Sequence, residues 1–188
     1  MYQDIKNFKI PNNFRGKSKI YIQLWWIIDL LLFRTSPQFL YPFRVFLLRI
    51  FGAKVGIGVK IRPSVFVTYP WKISVGNYVW IGDDAVLYSL GTIEIGDNTV
   101  ISQKSYICSA DHNYNDPLFS IHSKPIIIGS EVWISTDVFV GPGVTIGNGT
   151  VIGARSSVFK DMPSGYICYG NPCTRVRLRL SINEKLTK

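Results

Sequence analysis

Both histidines of this 188-residue chain fall in one polar stretch, SADHNYNDPLFSIHSKP at 109–125. His112 lies in Ser109-Ala110-Asp111-His112-Asn113-Tyr114-Asn115-Asp116-Pro117. An imidazole that titrates near neutrality can take the proton of a hydroxyl while that hydroxyl attacks an acyl carbon. The same position also suits a solvated loop histidine. His122, between Ile121 and Ser123, has no comparable context and reads as a loop residue. Asp111 and Tyr114, beside His112, are candidates for holding an acceptor. Asp83 and Asp84, after Trp80-Ile81-Gly82, could bind polyol hydroxyls or orient a base; as turn-forming aspartates they need do neither. Trp133, next to an inward Ile134, should point outward, as an interface aromatic or a pocket wall. Arg175, Arg177 and Arg179 form either a solvated strand face or a phosphate-binding cluster. Two histidines are too few for a three-histidine metal site, and Cys108, Cys168 and Cys173 lack ligand spacing, so no metal is expected.

The elements that must position these groups are written in a period of six. Ile128, Ile134, Val140, Ile146, Ile152 and Val158 keep one register, and Gly129, Gly141, Gly147 and Gly153 follow four of them. Six is a multiple of the strand period, so short strands fit inside the repeat, each closed by a turn that glycine eases. Repeats of this length point to an all-β fold, a parallel β-helix. Three such sides make an 18-residue turn, stacked at about 4.8 Å. Earlier runs join the pattern: Val55, Ile61, Val67 and Ile73; Val75, Ile81, Leu87 and Ile93; Ile95, Ile101 and Ile107. The register slips by two at Ile73/Val75 and at Ile93/Ile95, which read as widened corners. The stretch 109–125 is a loop thrown out of the coil, and loops of that length are usually functional.

Ahead of the coil, residues 1–17 read as a mobile arm. Ile20, Leu24, Ile27, Ile28, Leu31 and Leu32 have helical spacing from Ser18 to Phe33. Ser36-Pro37 reads as the N-cap and first residue of a second helix that Gly52 ends. Asp29, Arg34 and Arg44 interrupt the apolar run, which argues against a spanning helix. The helices either cap the open end of the coil or lie in a membrane interface through residues 18–51, and both can hold. The organisation expected is an arm and helical cap over 1–52, a coil over 53–162 and a tail over 163–188.

Net charge is +9, and residues 1–75 hold twelve Lys and Arg against Asp4 and Asp29 alone. Such a segment suits anionic lipid or a phosphorylated substrate; no nucleic-acid module is present, and no nucleic-acid partner is expected. Three unpaired-looking cysteines and the absence of a secretory leader point to the cytoplasm.

Gly143 to Val158, followed by Lys160-Asp161-Met162-Pro163 and Gly170-Asn171-Pro172-Cys173, resembles the closing coils of hexapeptide-repeat acyl-CoA O-acetyltransferases. Leu47 to Lys54, Tyr69-Pro70-Trp71 and Ile101 to Tyr106 resemble the exopolysaccharide (colanic-acid-type) branch, related to maltose, galactoside and nodulation acetyltransferases. The resemblance implies a left-handed coil, a homotrimer and acetyl-CoA, as cosubstrate, bound between subunits. It makes His112 the general base. It places Trp133, Ser135 and Thr136 at the thioester end, Gly153 and Ala154 along the pantetheine, and Lys160 and Arg177 at the phosphates. Thr174 stands where relatives often carry arginine, with Arg175 beside it as substitute. Gly82 stands where sugar-acetylating relatives have asparagine. A backbone N–H near Ser135–Thr136 is the expected oxyanion donor. The function expected is direct acetyl transfer to a sugar hydroxyl of a surface glycan. Its acceptor would be carried on a polyprenyl pyrophosphate at the inner membrane face. The rivals are an amine, serine or antibiotic acceptor on the same fold, and a non-catalytic trimeric scaffold.

Overall fold

The computed structural model describes residues 2–179; the end of the expected tail, 180–188, lies outside them. The coil is a parallel β-helix with three faces. The first face stacks strands Lys54–Val55, Ile73–Val75, Ile93–Ile95, Ile126–Ile128 and Thr145–Ile146. The second stacks Lys60–Ile61, Trp80–Ile81, Val100–Ile101, Trp133–Ile134, Val151–Ile152 and Tyr166–Gly170, and Cys173–Leu178 closes it antiparallel. The third stacks Phe66–Val67, Val86–Tyr88, Tyr106–Cys108, Phe139–Val140 and Ser157–Val158. The six residues of the register from Ile128 to Val158 are each at most 1% exposed, so the repeat is the core. Each such burial is worth about 1.5–3 kcal/mol.

The register slips are widened strands, not widened corners. Ile73 and Val75 both point inward, as do Ile93 and Ile95, and Ile126 and Ile128. These three phrases stack directly, Ile73 on Ile93 and Ile93 on Ile126. A three-residue strand presents its first and third side chains to the same side, so the extra pair lengthens a face without breaking the core. Turns there are 20 residues long, against 18 in the last coils.

The corner between the first and second faces carries a polar ladder. Asn77 Oδ1 accepts from Ile57 N at 3.0 Å, Asp97 Oδ1 from Asn77 N at 2.6 Å, Ser130 Oγ from Asp97 N at 3.1 Å and Asn148 Oδ1 from Ser130 N at 2.9 Å. Each oxygen satisfies a turn N–H that the strands cannot reach. Glycine precedes these residues because the ladder leaves no room: a Cβ on Gly96 would sit 2.5 Å from Ser130 N.

Two helices close the N-terminal end. Helix α1, Lys19–Ile28, starts at Ser18, whose Oγ accepts from Tyr21 N, and widens into π-helical turns over Asp29–Phe33. Trp25, at 0% exposure, donates its indole N–H to Val67 O at 2.9 Å, and Phe33, Leu47 and Leu48 join the same core. Helix α2 is Tyr41–Ile50, so Ser36 is not its N-cap. The reason is Arg44, fully buried, whose guanidinium donates to Ile61 O, Ser36 Oγ, Pro37 O and Gln38 O at 2.6–2.9 Å. Pro37 O also accepts from Leu40 N at 3.0 Å, and Gln38 O is left for the guanidinium because 37–40 stays out of the helix. The arm is also held rather than loose. Trp71 Nε1 donates to Arg15 O at 2.8 Å, Lys72 Nζ to Phe14 O at 2.6 Å and to Leu90 O, and Asp4 N to Pro117 O at 2.6 Å.

Asp29 is buried under these helices; Oδ2 accepts from Arg34 Nε at 2.8 Å, and Oδ1 has no partner among the described residues. Desolvation pushes its carboxyl from the ordinary 3.8 to about 6, against the opposing pull of Arg34. The fold therefore holds this proton more tightly than the unfolded chain does. The resulting stabilisation is complete below about 3.8 and lost as pH rises through about 6. Melting curves at pH 5 and pH 8 should show the chain gaining more from acidification than Asp29→Asn gains. Identical pH dependence in the two proteins would refute the assignment.

Candidate active site

The stretch 109–125 leaves the coil where the third face would turn into the first. It does so as a hairpin, with Ala110–His112 antiparallel to Ile121–Ser123. Alternation along the strand sends His112 and Asp111 to opposite faces. Asp111 is engaged there by His122, Oδ1 to Nε2 at 2.6 Å across the ladder, and Tyr114 is exposed on the tip. His122 thus lies on a hairpin strand opposite Asp111, with its side chain 43% exposed, rather than in an irregular loop.

His112 is half-buried and doubly fixed. Its ring stacks on Phe119 at 4.1 Å and 9°, and Nδ1 lies 2.8 Å from Phe119 O. A carbonyl only accepts, so Nδ1 carries the hydrogen and the neutral ring keeps its lone pair on Nε2. Phe119 adopts φ 50°, a left-handed backbone that a bulky residue rarely takes. That conformation delivers both the stacking ring and the carbonyl to one histidine.

The other expected residues line the corner between the second and third faces. Trp133 is 47% exposed on the second face, its Nε1 3.1 Å from Ser102 Oγ. Ser135 is buried and its N–H is donated to Ile152 O at 2.9 Å, which removes it as an oxyanion donor and leaves Thr136 of the expected pair. Thr136 Oγ1 donates to Gln103 O at 3.1 Å. Gly153 packs against the next coil, where a Cβ would meet Tyr169 at 2.7 Å, while Ala154 is exposed on the corner. Lys160 is exposed after the third face; Arg175 and Arg177 are exposed on the closing strand, Arg175 over the Tyr166 ring at 5.6 Å.

Asp83 and Asp84 sit on this corner too, engaged within the coil. Asp83 accepts from Arg62 Nε at 2.8 Å and Ser64 Oγ at 3.1 Å, and Arg62 holds its carboxyl below the usual range. Asp84 takes the left-handed turn at φ 56°, its N–H donating to Ser64 Oγ. Gly82 is required by close approach: a Cβ would lie 2.7 Å from Gln103 N, so an asparagine has no room.

Burial raises all three thiols, Cys173 to about 11, which disfavours a thiolate nucleophile. Among the described residues no three His, Cys, Asp or Glu side chains gather as a metal site, and no helix is long and apolar enough to cross a membrane.

One feature of the site has no signal in the sequence pattern. His112 lines a cavity of about 340 Å³ whose wall includes Phe8 and Phe14 of the arm, Trp26 of α1, and Tyr69 and Tyr88 of the coil. Thr68, 5% exposed, also lines it, and its hydroxyl oxygen has no partner among the described residues. A buried hydroxyl left unpaired is rare and costly. A polyhydroxy ligand in the cavity would satisfy it, with ring faces to stack against.

Comparison with known proteins gives these positions a family. Residues 125–160 match the bacterial transferase hexapeptide (six repeats) model. The putative colanic acid biosynthesis acetyltransferase of Escherichia coli strain K12 is 54% identical over 178 residues, covering 95% of this chain and 98% of that protein. The chain belongs to the hexapeptide-repeat acetyltransferase family. As a member it is an acyltransferase dependent on acetyl-CoA. The solved maltose O-acetyltransferase of Clostridium difficile 630 is 27% identical, with TM-score 0.75 over 87% of this chain and 90% of that one. A galactoside acetyltransferase solved in complex with coenzyme A is 28% identical, with TM-score 0.72 over 90% and 84%.

Within one chain the expected site residues are not brought together. His112 projects from one edge of the third face, and Trp133, Thr136 and Ala154 line the opposite edge.

Proposed function

We propose that this chain transfers acetyl from acetyl-CoA to a sugar hydroxyl during synthesis of a surface exopolysaccharide. The observation that carries the reading is His112, fixed through Nδ1 and lining a cavity fit for a sugar. The acceptor hydroxyl gives its proton to Nε2 as its oxygen bonds to the thioester carbonyl carbon. The oxyanion forms against the Thr136 N–H. The C–S bond then breaks, and the departing sulfur takes the proton back from the imidazolium, leaving an O-acetyl ester and CoA. No acyl-enzyme forms, so both substrates bind together.

Acetyl-CoA runs along the corner of one subunit: Trp133 and Thr136 near the thioester, Gly153 and Ala154 beside the pantetheine, Lys160, Arg175 and Arg177 toward the phosphates. The coil winds left-handed, and three copies assemble so that one subunit's hairpin meets its neighbour's corner. Residues 53–162 form this transferase coil, with 1–52 as arm and cap. The acceptor is presented on a polyprenyl pyrophosphate at the inner membrane face. Leu30, Leu31 and Phe39, at 61%, 59% and 74% exposure beside Arg34, support peripheral contact through 18–51.

The test is acetyl transfer by the purified chain to a panel of sugars, glycolipids and amines. Ester-linked acetate, released by mild alkali, is the expected product. An alkali-stable amide would move the assignment to an amine acceptor, and failure of CoA to bind in calorimetry would leave only the scaffold reading.

A further inference from the structure

The cavity at His112 borders a second, larger concavity of about 920 Å³, lined by the arm between Phe8 and Lys19. The two share Phe8, Ile10, Phe14 and Arg15 in their walls. The second is lined by Lys9, Arg15, Lys17 and Lys19 and by no acidic side chain. None of these cations pairs with a carboxylate among the described residues, whose ion pairs lie elsewhere. Uncompensated like charges repel, and four around one hollow are relieved by an anion. The start of α1 at Ser18–Lys19 adds its positive end to the same hollow.

The hollow is built. Its backbone is clamped at Phe14 and Arg15 by Lys72 and Trp71, and Gly16, at φ 73°, lies against the Trp71 ring, where a Cβ would sit 3.4 Å from Nε1. Beyond it, α1 turns out Ile20, Leu24 and Ile27, at 83%, 48% and 51% exposure. An aromatic cavity that holds His112, a hollow with four cations and exposed apolar residues of α1 thus neighbour one another.

We propose that the basic hollow is a diphosphate subsite. It holds the diphosphate that joins an acceptor sugar to a long apolar chain, with the sugar beside His112 and the first apolar carbons on α1. The assignment rests on the acetyl-transfer reading for its sugar end only; anion recognition by the hollow stands without it. The phosphate oxygens accept from Arg15 as a planar fork and from the three lysines as point charges.

The test is calorimetric titration of the intact chain with geranyl diphosphate, under saturating CoA so that the CoA phosphate contacts are blocked. No acetyl donor is present, so the result is independent of whether transfer occurs. Geranyl diphosphate should bind more tightly than inorganic pyrophosphate, and geraniol should give no comparable heat. Added salt should weaken the binding, and Arg15→Gln/Lys17→Gln/Lys19→Gln should weaken it by about tenfold or more. A second variant, Lys9→Gln/Lys17→Gln, removes only exposed ammonium groups and should weaken binding in the same direction even if the triple variant misfolds. Absence of geranyl diphosphate binding overturns the proposal, as does native affinity in Lys9→Gln/Lys17→Gln. It is also overturned if that variant loses only flotation with phosphatidylglycerol vesicles and keeps geranyl diphosphate, because the hollow then serves bilayer headgroups.

Discussion

Replacing His112 with alanine should lower kcat by about 10²–10⁴-fold, the usual contribution of a general base. The residual rate would come from holding acetyl-CoA and acceptor together, which the substitution leaves in place. Three features make this variant clean. The side chain belongs to a hairpin outside the coil, so the stacked aliphatic core is untouched. Its ring partners, Phe119 and Phe8, keep their own backbone anchors, Phe119 N to Asp116 O and Phe8 N to Ile5 O. The corner proposed for CoA lies on another edge of the coil, so CoA affinity by calorimetry and the melting temperature should stay near native. His112→Gln should not rescue the rate, because an amide can hydrogen-bond but cannot accept the proton. A His112→Ala enzyme within tenfold of native would remove the mechanism.

The coil was legible because its core is written in one period: from Ile61 to Val158 the aliphatics of the hexad are buried, and nothing tertiary competes with that choice. The slips were legible as positions and misread as corners. Ile-Ser-Val-Gly at 73–76 and Ile-Ile-Ile-Gly at 126–129 look like interruptions in a string, and only their stacking on Ile93–Ile95 makes them one widened face. Ser36-Pro37 failed as a helix start because a local capping preference lost to a buried guanidinium that needs the Pro37 and Gln38 carbonyls. The arm read as loose because its anchors, Trp71, Lys72 and Pro117, are far away in sequence. His112 was found by type and position. The strained Phe119 that fixes its Nδ1, the unpaired Thr68 hydroxyl and the aromatic cavity around them are three-dimensional facts with no periodic trace.

Two inactive variants should restore activity to each other when assembled together. His112 stands at one edge of the third face, and Ala154 is exposed at the other. Between them runs an outward aromatic ridge, Tyr106 on Phe139 at 6.1 Å and Phe139 against Phe159 at 5.7 Å, with Phe159 59% exposed. No movement of a short hairpin wraps it around a full face of a rigid coil. On the proposed function, the base and the CoA corner therefore come from two copies of the chain. His112→Ala removes the base but leaves the corner; Ala154→Trp obstructs the corner with a bulky ring but leaves the base. In cyclic assemblies mixed at random and in equal amounts, about one site in four joins an intact hairpin to an intact corner. Co-expression should therefore recover about a quarter of native activity, from homomers that each fall to the background of their own defect. Recovery should require mixing before assembly, since preformed homomers cannot trade subunits without dissociating. If co-assembled heteromers stay at the background rate, His112 and Ala154 serve one site within a single chain, and the arrangement of hairpin against neighbouring corner is wrong.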